Sequence, residues 1–311
     1  MKRWLAVLLV VVTVGPSADA PPAATTRPAA TRPAATLPAA AALPLPEMTT
    51  SALTARYAAN RAAIRDSGAG HALARPDRQF LVFDPRGDGR AVEVVGDLAA
   101  AERVIVLVPG SDTGLATFDQ RGDKPHATPA GGARAVYRDA RATAPGERVA
   151  VLAWLGYDAP DTLSLDVAGD RRARDGATEL RQLVATLSAN GAAVSMLCHS
   201  YGSVVCGYAL PGLPVTDVVV FGSPGMPPIA GARARVWATR GARDWIRHVP
   251  HVRLLGGRLG LGADPVEPDF GARVFSSGAA GHSDYLRPGS TSLHRITLAA
   301  LGAGSAVPLR V

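Results

Sequence analysis

Residues 194–210 read VSMLCHSYGSVVCGYAL. The apolar run ending at Cys198 has the character of a fully buried strand, and Ser203 to Leu210 that of a helix stopped by Pro211. Only His199-Ser200-Tyr201-Gly202 separates them, so the chain must turn from strand to helix within a few residues. A serine on such a turn is a nucleophile elbow, its hydroxyl held out above the sheet edge. Gly202 lets the helix backbone approach, and the Tyr201 amide opens the helix, aimed where an oxyanion would develop. The usual first glycine of the pentapeptide is replaced by Cys198, which is small enough for the turn to survive.

Outward from this stretch the chain alternates between short apolar runs and helical patterns. Thr49 to Ser67 predicts an arginine-bearing amphipathic helix with Leu53, Tyr57 and Ile64 inward. Phe80 to Asp84 and Arg90 to Val95 read as a hairpin around Arg86-Gly87-Asp88-Gly89. Val104 to Val108 is continuously apolar, as expected of a central strand covered on both faces. A helix over Ala133 to Ala142, a strand over Arg148 to Leu155 and a helix over Asp175 to Ser188 precede the elbow. After it come strands at Asp217 to Phe221, Arg235 to Thr239 and Ala272 to Ser276, then a helix over Ser292 to Leu301. This alternation implies right-handed βαβ units and an α/β fold with a mainly parallel sheet and helices on both faces.

The N-terminus is organised differently. MKRWLAVLLVVVTVGPSADA places Lys2 and Arg3 before an apolar core and ends in Ala18-Asp19-Ala20. That is the plan of a secretory signal peptide over residues 1–20, its core short for a membrane span. Pro21 would follow the cut, so an uncleaved N-terminal anchor is the alternative. Residues 21–46 are Ala, Pro, Thr and Leu apart from two arginines, with TRPAA repeated from Thr26 and Thr31. This composition buries no core and reads as a semi-rigid linker. The domain proper is expected over 47–311, long enough for one large α/β unit. The expected location is secreted or envelope-associated, with contact to membrane or cell wall through the N-terminal segment.

The net charge of +7 comes from scattered arginines, with lysine only at positions 2 and 124. No basic block interleaves with aromatics, so nucleic acid is not an expected partner. The two cysteines, Cys198 and Cys206, bracket the elbow. A secreted chain invites a disulfide between them, but one ends a strand and the other lies two turns into a helix, so bridge and free thiols both stay open.

A serine hydroxyl needs an imidazole to take its proton and a carboxylate to fix the imidazole's tautomer. After an elbow of this kind, acid and then histidine follow later strands. Asp244 comes after Arg235 to Thr239 in Arg240-Gly241-Ala242-Arg243-Asp244, and His282 comes after the last strand in Gly281-His282-Ser283-Asp284-Tyr285. Asp264 in Ala263-Asp264-Pro265 competes for the acid's role, and either aspartate could simply cap a helix. Of the other histidines, His71, His126 and His294 have surface or structural readings, His248 and His251 flank Pro250, and His199 packs on the turn. The oxyanion donors are expected to be the Tyr201 and Ser111 amides, the latter in the loop after Val108. Asp112 beside it would oppose an oxyanion unless it turns away to order the loop. Tyr157 and Asp158, at a strand's C-terminal end, are candidates for lining the substrate pocket, with loop packing the other reading for Tyr157. No metal or cofactor is expected: HExxH, Cys/His clusters and phosphate loops are missing, and the glycines of Leu254 to Gly262 read as irregular loop.

The ordered series adds a resemblance. Phe80-Leu81-Val82-Phe83-Asp84 with Gly87-Asp88-Gly89-Arg90, Val108-Pro109-Gly110, Ala153-Trp154-Leu155-Gly156-Tyr157, Cys198-His199-Ser200-Tyr201-Gly202-Ser203, Phe221-Gly222-Ser223-Pro224-Gly225 and Gly281-His282-Ser283 stand in this order. Over about residues 50–300 the chain resembles an actinobacterial alpha/beta hydrolase family of undefined function. The resemblance implies the alpha/beta hydrolase fold and a Ser–His–Asp site at Ser200, His282 and Asp244. It supplies no substrate.

Only Gly225 to Ala234 separates the two strands where lipases and many esterases insert a cap. Little or no cap domain is therefore expected, and the cleft is open or roofed by the loops Thr113–Pro129, Gly156–Asp170 and Trp245–Phe270. The expectation is a serine hydrolase acting on small or lipid-like esters. An acyltransferase or peptidase would use the same residues. An inactive fold serving as a binding module is the reading against which the intact Ser–His pair speaks.

Overall fold

The computed structural model describes residues 45–69, 72–120, 122–249 and 261–309. The expected leader, most of the linker, His71, His251 and residues 254–260 lie outside them. Eight strands form one sheet: β1 (Gln79–Asp84), β2 (Arg90–Val95), β3 (Arg103–Val108), β4 (Val149–Leu155), β5 (Ala193–His199), β6 (Asp217–Phe221), β7 (Arg235–Thr239) and β8 (Arg273–Val274). Their order is β1-β2-β4-β3-β5-β6-β7-β8. The β1–β2 hairpin and the β2–β4 pair are antiparallel, and every later pair is parallel.

Five α-helices accompany the sheet among the described residues: α1 (Thr50–Ser67), α2 (Pro129–Thr143), α3 (Arg171–Ala189), α4 (Gly202–Ala209) and α5 (Thr291–Ala300). The core divides into two clusters. Leu180, Leu183, Val184 and Leu187 of α3 join Val204 and Val205 of α4 in one, against Val106, Met196 and Val218. Ala133 and Val136 of α2 join Leu293 and Ile296 of α5 in the other, against Ile105, Leu197 and Val219. Successive residues of each strand point to opposite faces, so the continuous apolar runs of β3 to β6 follow from helices lying on both sides. Helix α1 contributes Leu53 and Tyr57 to one cluster and Ile64 to the other. Leu45 and Met48 also pack on the core, so ordered packing begins two residues before the expected boundary at 47.

The element types follow the expectation, and three boundaries move by more than one residue. Helix α2 starts at Pro129 rather than Ala133, because the Thr128 side chain caps the Gly131 amide and proline occupies the first turn. Helix α3 starts at Arg171, four residues before the expected Asp175. The last strand shrinks from the expected Ala272–Ser276 to Arg273–Val274, an edge strand paired only with β7. Between β6 and β7 no helical cap is inserted, and among the described residues no helix is long and apolar enough to cross a membrane.

Strand β3 pairs with β4 on one side and β5 on the other. Connections leave in opposite directions at that point, where open α/β sheets form their ligand crevice. The loop carrying Gly110 and the elbow carrying Ser200 both emerge there.

Candidate active site

Strand β5 ends at His199, and Ser200 turns the chain with φ +51. For a non-glycine residue this conformation costs about 1–3 kcal/mol and persists only where neighbours impose it. Here the Ser200 amide donates to the Phe221 carbonyl (3.1 Å), and the Ser200 carbonyl accepts from the Ser203 amide (2.9 Å) and the Ser203 hydroxyl (2.7 Å). Ser203 in turn lies 2.6 Å from the buried Ser223 hydroxyl. Below the turn, a Cβ on Gly202 would fall 2.5 Å from the Pro109 carbonyl oxygen, so only glycine lets α4 start against the end of β3. Gly110 faces Ser200 as closely: a Cβ there would meet the Ser200 Cβ at 2.6 Å. Cys198 is buried and bonded to Cys206, with Cα atoms 6.4 Å apart, which settles the open reading of the two thiols.

The three residues that sequence reasoning assigned to the triad meet above the sheet edge. Ser200 Oγ lies 3.0 Å from His282 Nε2, and His282 Nδ1 lies 2.9 Å from Asp244 Oδ1. Asp244 is fully buried and also caps the Ile246 amide at 2.9 Å. Burial acts to raise its pKa, but the hydrogen bond and charge of His282, the Tyr285 hydroxyl and the Ile246 amide outweigh it and hold the carboxyl below its ordinary range. An ionised Asp244 must accept, so Nδ1 of a neutral His282 carries the proton and Nε2 is left to accept from Ser200. The competing Asp264 instead pairs with Arg240 and accepts from the Val266 amide, 3.1 Å away.

Two neighbours of these three residues, Tyr285 and Trp245, escaped sequence reasoning; a third, His199, packs and hydrogen-bonds beside the turn as expected. Tyr285 donates to Asp244 Oδ2 at 2.5 Å while accepting from the Gly241 amide at 2.9 Å. Burial and the adjacent Asp244 charge push its phenol up, so it stays a donor. Its position three residues after His282 is the only signal in the sequence. His199 Nε2 lies 2.9 Å from the His282 carbonyl and must donate to it, while its ring stacks on Phe221. Trp245, next to the acid, sets its indole 4.7 Å from the His282 ring and stays half exposed.

The remaining expectations divide. Tyr201 is the N-cap of α4, and Ser111 follows Gly110 in the loop against Ser200. Asp112, itself at φ +58, accepts from both the amide and the hydroxyl of Thr162, which ties this loop to the 156–170 loop. Tyr157 corrects the expectation that it lines the pocket. It is 2 % exposed, donates its hydroxyl to the Pro109 carbonyl at 2.9 Å, and stacks between Trp154 and Tyr201. A large ring in that position fills the space beneath the loop and cannot reach a ligand. Asp158 is partly exposed, 3.5 Å from Arg172. His126 approaches Asp284 at 3.5 Å, His294 approaches Asp139 at 3.4 Å, and His248 is exposed. Among the described residues no group of three or more His, Cys, Asp or Glu is arranged to hold a metal ion.

Tyr285→Phe is expected to cost about 1.5–3 kcal/mol at neutral pH, the range for a hydrogen bond to a charged group. Asp244's lowered pKa contributes stability that is present above the ordinary carboxylate range and lost as pH falls through its lower folded value. Removing one of the lowering bonds shrinks that contribution. Urea denaturation across pH should therefore show the gap to wild type narrowing in acid; a gap constant with pH would mean that the hydroxyl acts through packing alone.

Curated relatives include an uncharacterized protein of Mycobacterium tuberculosis, 40 % identical over 172 residues, covering 52 % of this chain and 62 % of that one. Another uncharacterized protein of that organism is 29 % identical over 269 residues, covering 73 % and 40 %. The chain thus spans less than two thirds of the length of these relatives. Among solved structures, a serine hydrolase without lid from Xanthomonas campestris is 13 % identical with a TM-score of 0.41, covering 76 % of this chain and 98 % of that one. An esterase from Pyrobaculum calidifontis is 11 % identical with a TM-score of 0.42, covering 81 % and 92 %. A family model described as alpha/beta hydrolase matches residues 84–254. That match holds Ser200 and Asp244 and stops short of His282, which the fold returns to them. Since it covers more than half of the chain, this protein belongs to the alpha/beta hydrolase family.

Proposed function

We propose that the protein is a secreted or envelope-tethered serine hydrolase that cleaves ester-type substrates, lipid and cell-envelope esters among them, through an acyl-enzyme. The observation that carries this reading is the hydrogen-bonded series Ser200 Oγ–His282 Nε2 and Nδ1–Asp244 on a strained elbow. Ser200 Oγ attacks the ester carbonyl carbon as His282 Nε2 takes the hydroxyl proton. The carbonyl oxygen becomes an oxyanion facing the Tyr201 and Ser111 amides. A single donor of this kind is worth about 2.7–4 kcal/mol. Collapse breaks the bond to the alkoxy oxygen, which leaves as an alcohol with the proton from Nε2. Water then repeats the sequence on the acyl-enzyme, releasing the acid and restoring Ser200. Asp244 stays ionised throughout, fixing the Nδ1–H tautomer and stabilising the imidazolium.

Export is supported by the basic, apolar and small-residue order of residues 1–20 and by the proline-rich stretch after it. The Cys198–Cys206 bridge adds to this, because disulfides persist in oxidising compartments.

Ser200→Ala is the direct test. Hydrolysis of p-nitrophenyl acetate is expected to fall at least about 10³-fold, with the burst of p-nitrophenol lost. A folded variant that keeps wild-type turnover would contradict the proposal.

A further inference from the structure

We infer that Trp245 is the specificity residue for the alcohol portion of the ester, and that this portion is a ring with an apolar face. The inference rests on the proposed function. In the step that expels the alcohol, the alkoxy oxygen must lie within hydrogen-bond reach of His282 Nε2, because that atom supplies its proton. The group attached to that oxygen therefore sits beside the imidazole, on the side away from the acyl chain.

Trp245 lies against the same imidazole. Its indole centroid is 4.7 Å from the imidazole centroid, the planes inclined at 47°. The backbone holds it there: it directly follows Asp244, whose carboxylate accepts from the next amide, Ile246, in a short turn closed by Val249 donating to Ile246. Yet half of its surface is exposed, whereas Trp154 and Trp237 are buried. Among the described residues only Leu163 and Leu309 are comparably exposed large apolar side chains. A structural role in the core does not account for an indole held against the imidazole with the rest of its surface in water. A flat apolar platform at the exit of the leaving group does.

Aromatic faces recognise rings by covering them. Aryl rings do so by offset or edge contact, and the same apolar coverage accommodates the C–H face of a pyranose. The small area of a methyl group gains little from such contact. Covering the exposed part of an indole and the facing ring corresponds to roughly a 10- to 50-fold gain in kcat/KM.

The test compares three acetates that form the same acetyl-enzyme and differ only in the alcohol: phenyl acetate, a 6-O-acetyl glucopyranoside and methyl acetate. In wild type, Trp245→Ala and Trp245→Phe, the readout is the ratio of kcat/KM for each ring ester to that for methyl acetate. Trp245→Ala is expected to lower the ratio about tenfold or more for at least one ring ester, and Trp245→Phe to restore most of it. A fall in the phenyl arm alone identifies an aryl alcohol, and a fall in the pyranoside arm identifies a sugar alcohol. Ratios unchanged in both arms overturn the inference: equal losses on all three acetates would make Trp245 a shield or support for His282. If the wild type cleaves none of the acetates and its Ser200 takes up no fluorophosphonate, the hydrolase proposal falls and this inference with it.

Discussion

Asp244→Asn is expected to lower kcat on any ester about 10³- to 10⁴-fold while leaving the protein folded. The geometry explains why so small a change should cost so much. Asp244 accepts three hydrogen bonds: Oδ1 from the Ile246 amide and His282 Nδ1, Oδ2 from the Tyr285 hydroxyl. An asparagine cannot accept on both sides. If its NH₂ faces His282, it opposes the Ile246 N–H and forces the imidazole to accept at Nδ1. The ring proton then moves to Nε2 and points at Ser200 Oγ, so the base can no longer take a proton. If the NH₂ faces Tyr285 instead, the tautomer survives, but the phenol loses its acceptor and must turn its proton elsewhere, and the charge that stabilises the imidazolium is gone. Steady-state ester hydrolysis at fixed pH checks the prediction, with circular dichroism confirming the fold. A loss below about tenfold would mean that Asp244 serves mainly as the cap of the turn after it.

The second large effect concerns stability. Replacing Cys198 and Cys206 together with alanine releases a crosslink across 8 positions of sequence, which corresponds to roughly 2.5 kcal/mol of loop-closure entropy in the chain-entropy account. For a domain of this size that is a fall of about 5–10 °C in Tm. The loop so closed contains Ser200 at its positive φ and the first turn of α4. The bond therefore restrains a segment whose backbone is held away from its preferred conformation, and ester hydrolysis should decline with stability. Both sulfurs are buried, so a reductant acts only on opened molecules and its effect should appear during heating rather than at once. Calorimetry of wild type, with and without reductant, beside the double variant checks this. A Tm unchanged by the double substitution would show that packing alone holds the elbow.

Much of the fold is legible in the residues because its strands are continuous apolar runs ended by turn formers. β2, β6 and β7 coincide with Arg90–Val95, Asp217–Phe221 and Arg235–Thr239 as read from the sequence. Covered on both faces, such strands leave little ambiguity of extent. Helix α2 is longer than expected because Gly131 and Gly132 weaken the helical pattern, while Thr128 and Pro129 start the helix all the same. At the site, residues with a chemical signature at a characteristic chain position, Ser200, Asp244 and His282, could be named in advance. Residues whose role depends on three-dimensional neighbours could not. Nothing local distinguishes Tyr285, buried against Asp244, from any aromatic in a loop, or Trp245 from a core tryptophan. Tyr157 illustrates the converse: its place at the C-terminal end of β4 is where ligands are met, yet its ring turns inward under Pro109. The disulfide depended on the turn's geometry, which brings the two Cα atoms to 6.4 Å.

The proposed reaction requires that Ser200 be an activated nucleophile. Reaction of the purified protein with a fluorophosphonate, followed by peptide mapping, measures this without assuming a substrate. The expected result is one phosphonyl adduct, on Ser200, absent from Ser200→Ala and formed far more slowly by Asp244→Asn. A folded wild-type protein that forms no adduct, or one that forms an adduct surviving in Ser200→Ala, would contradict it.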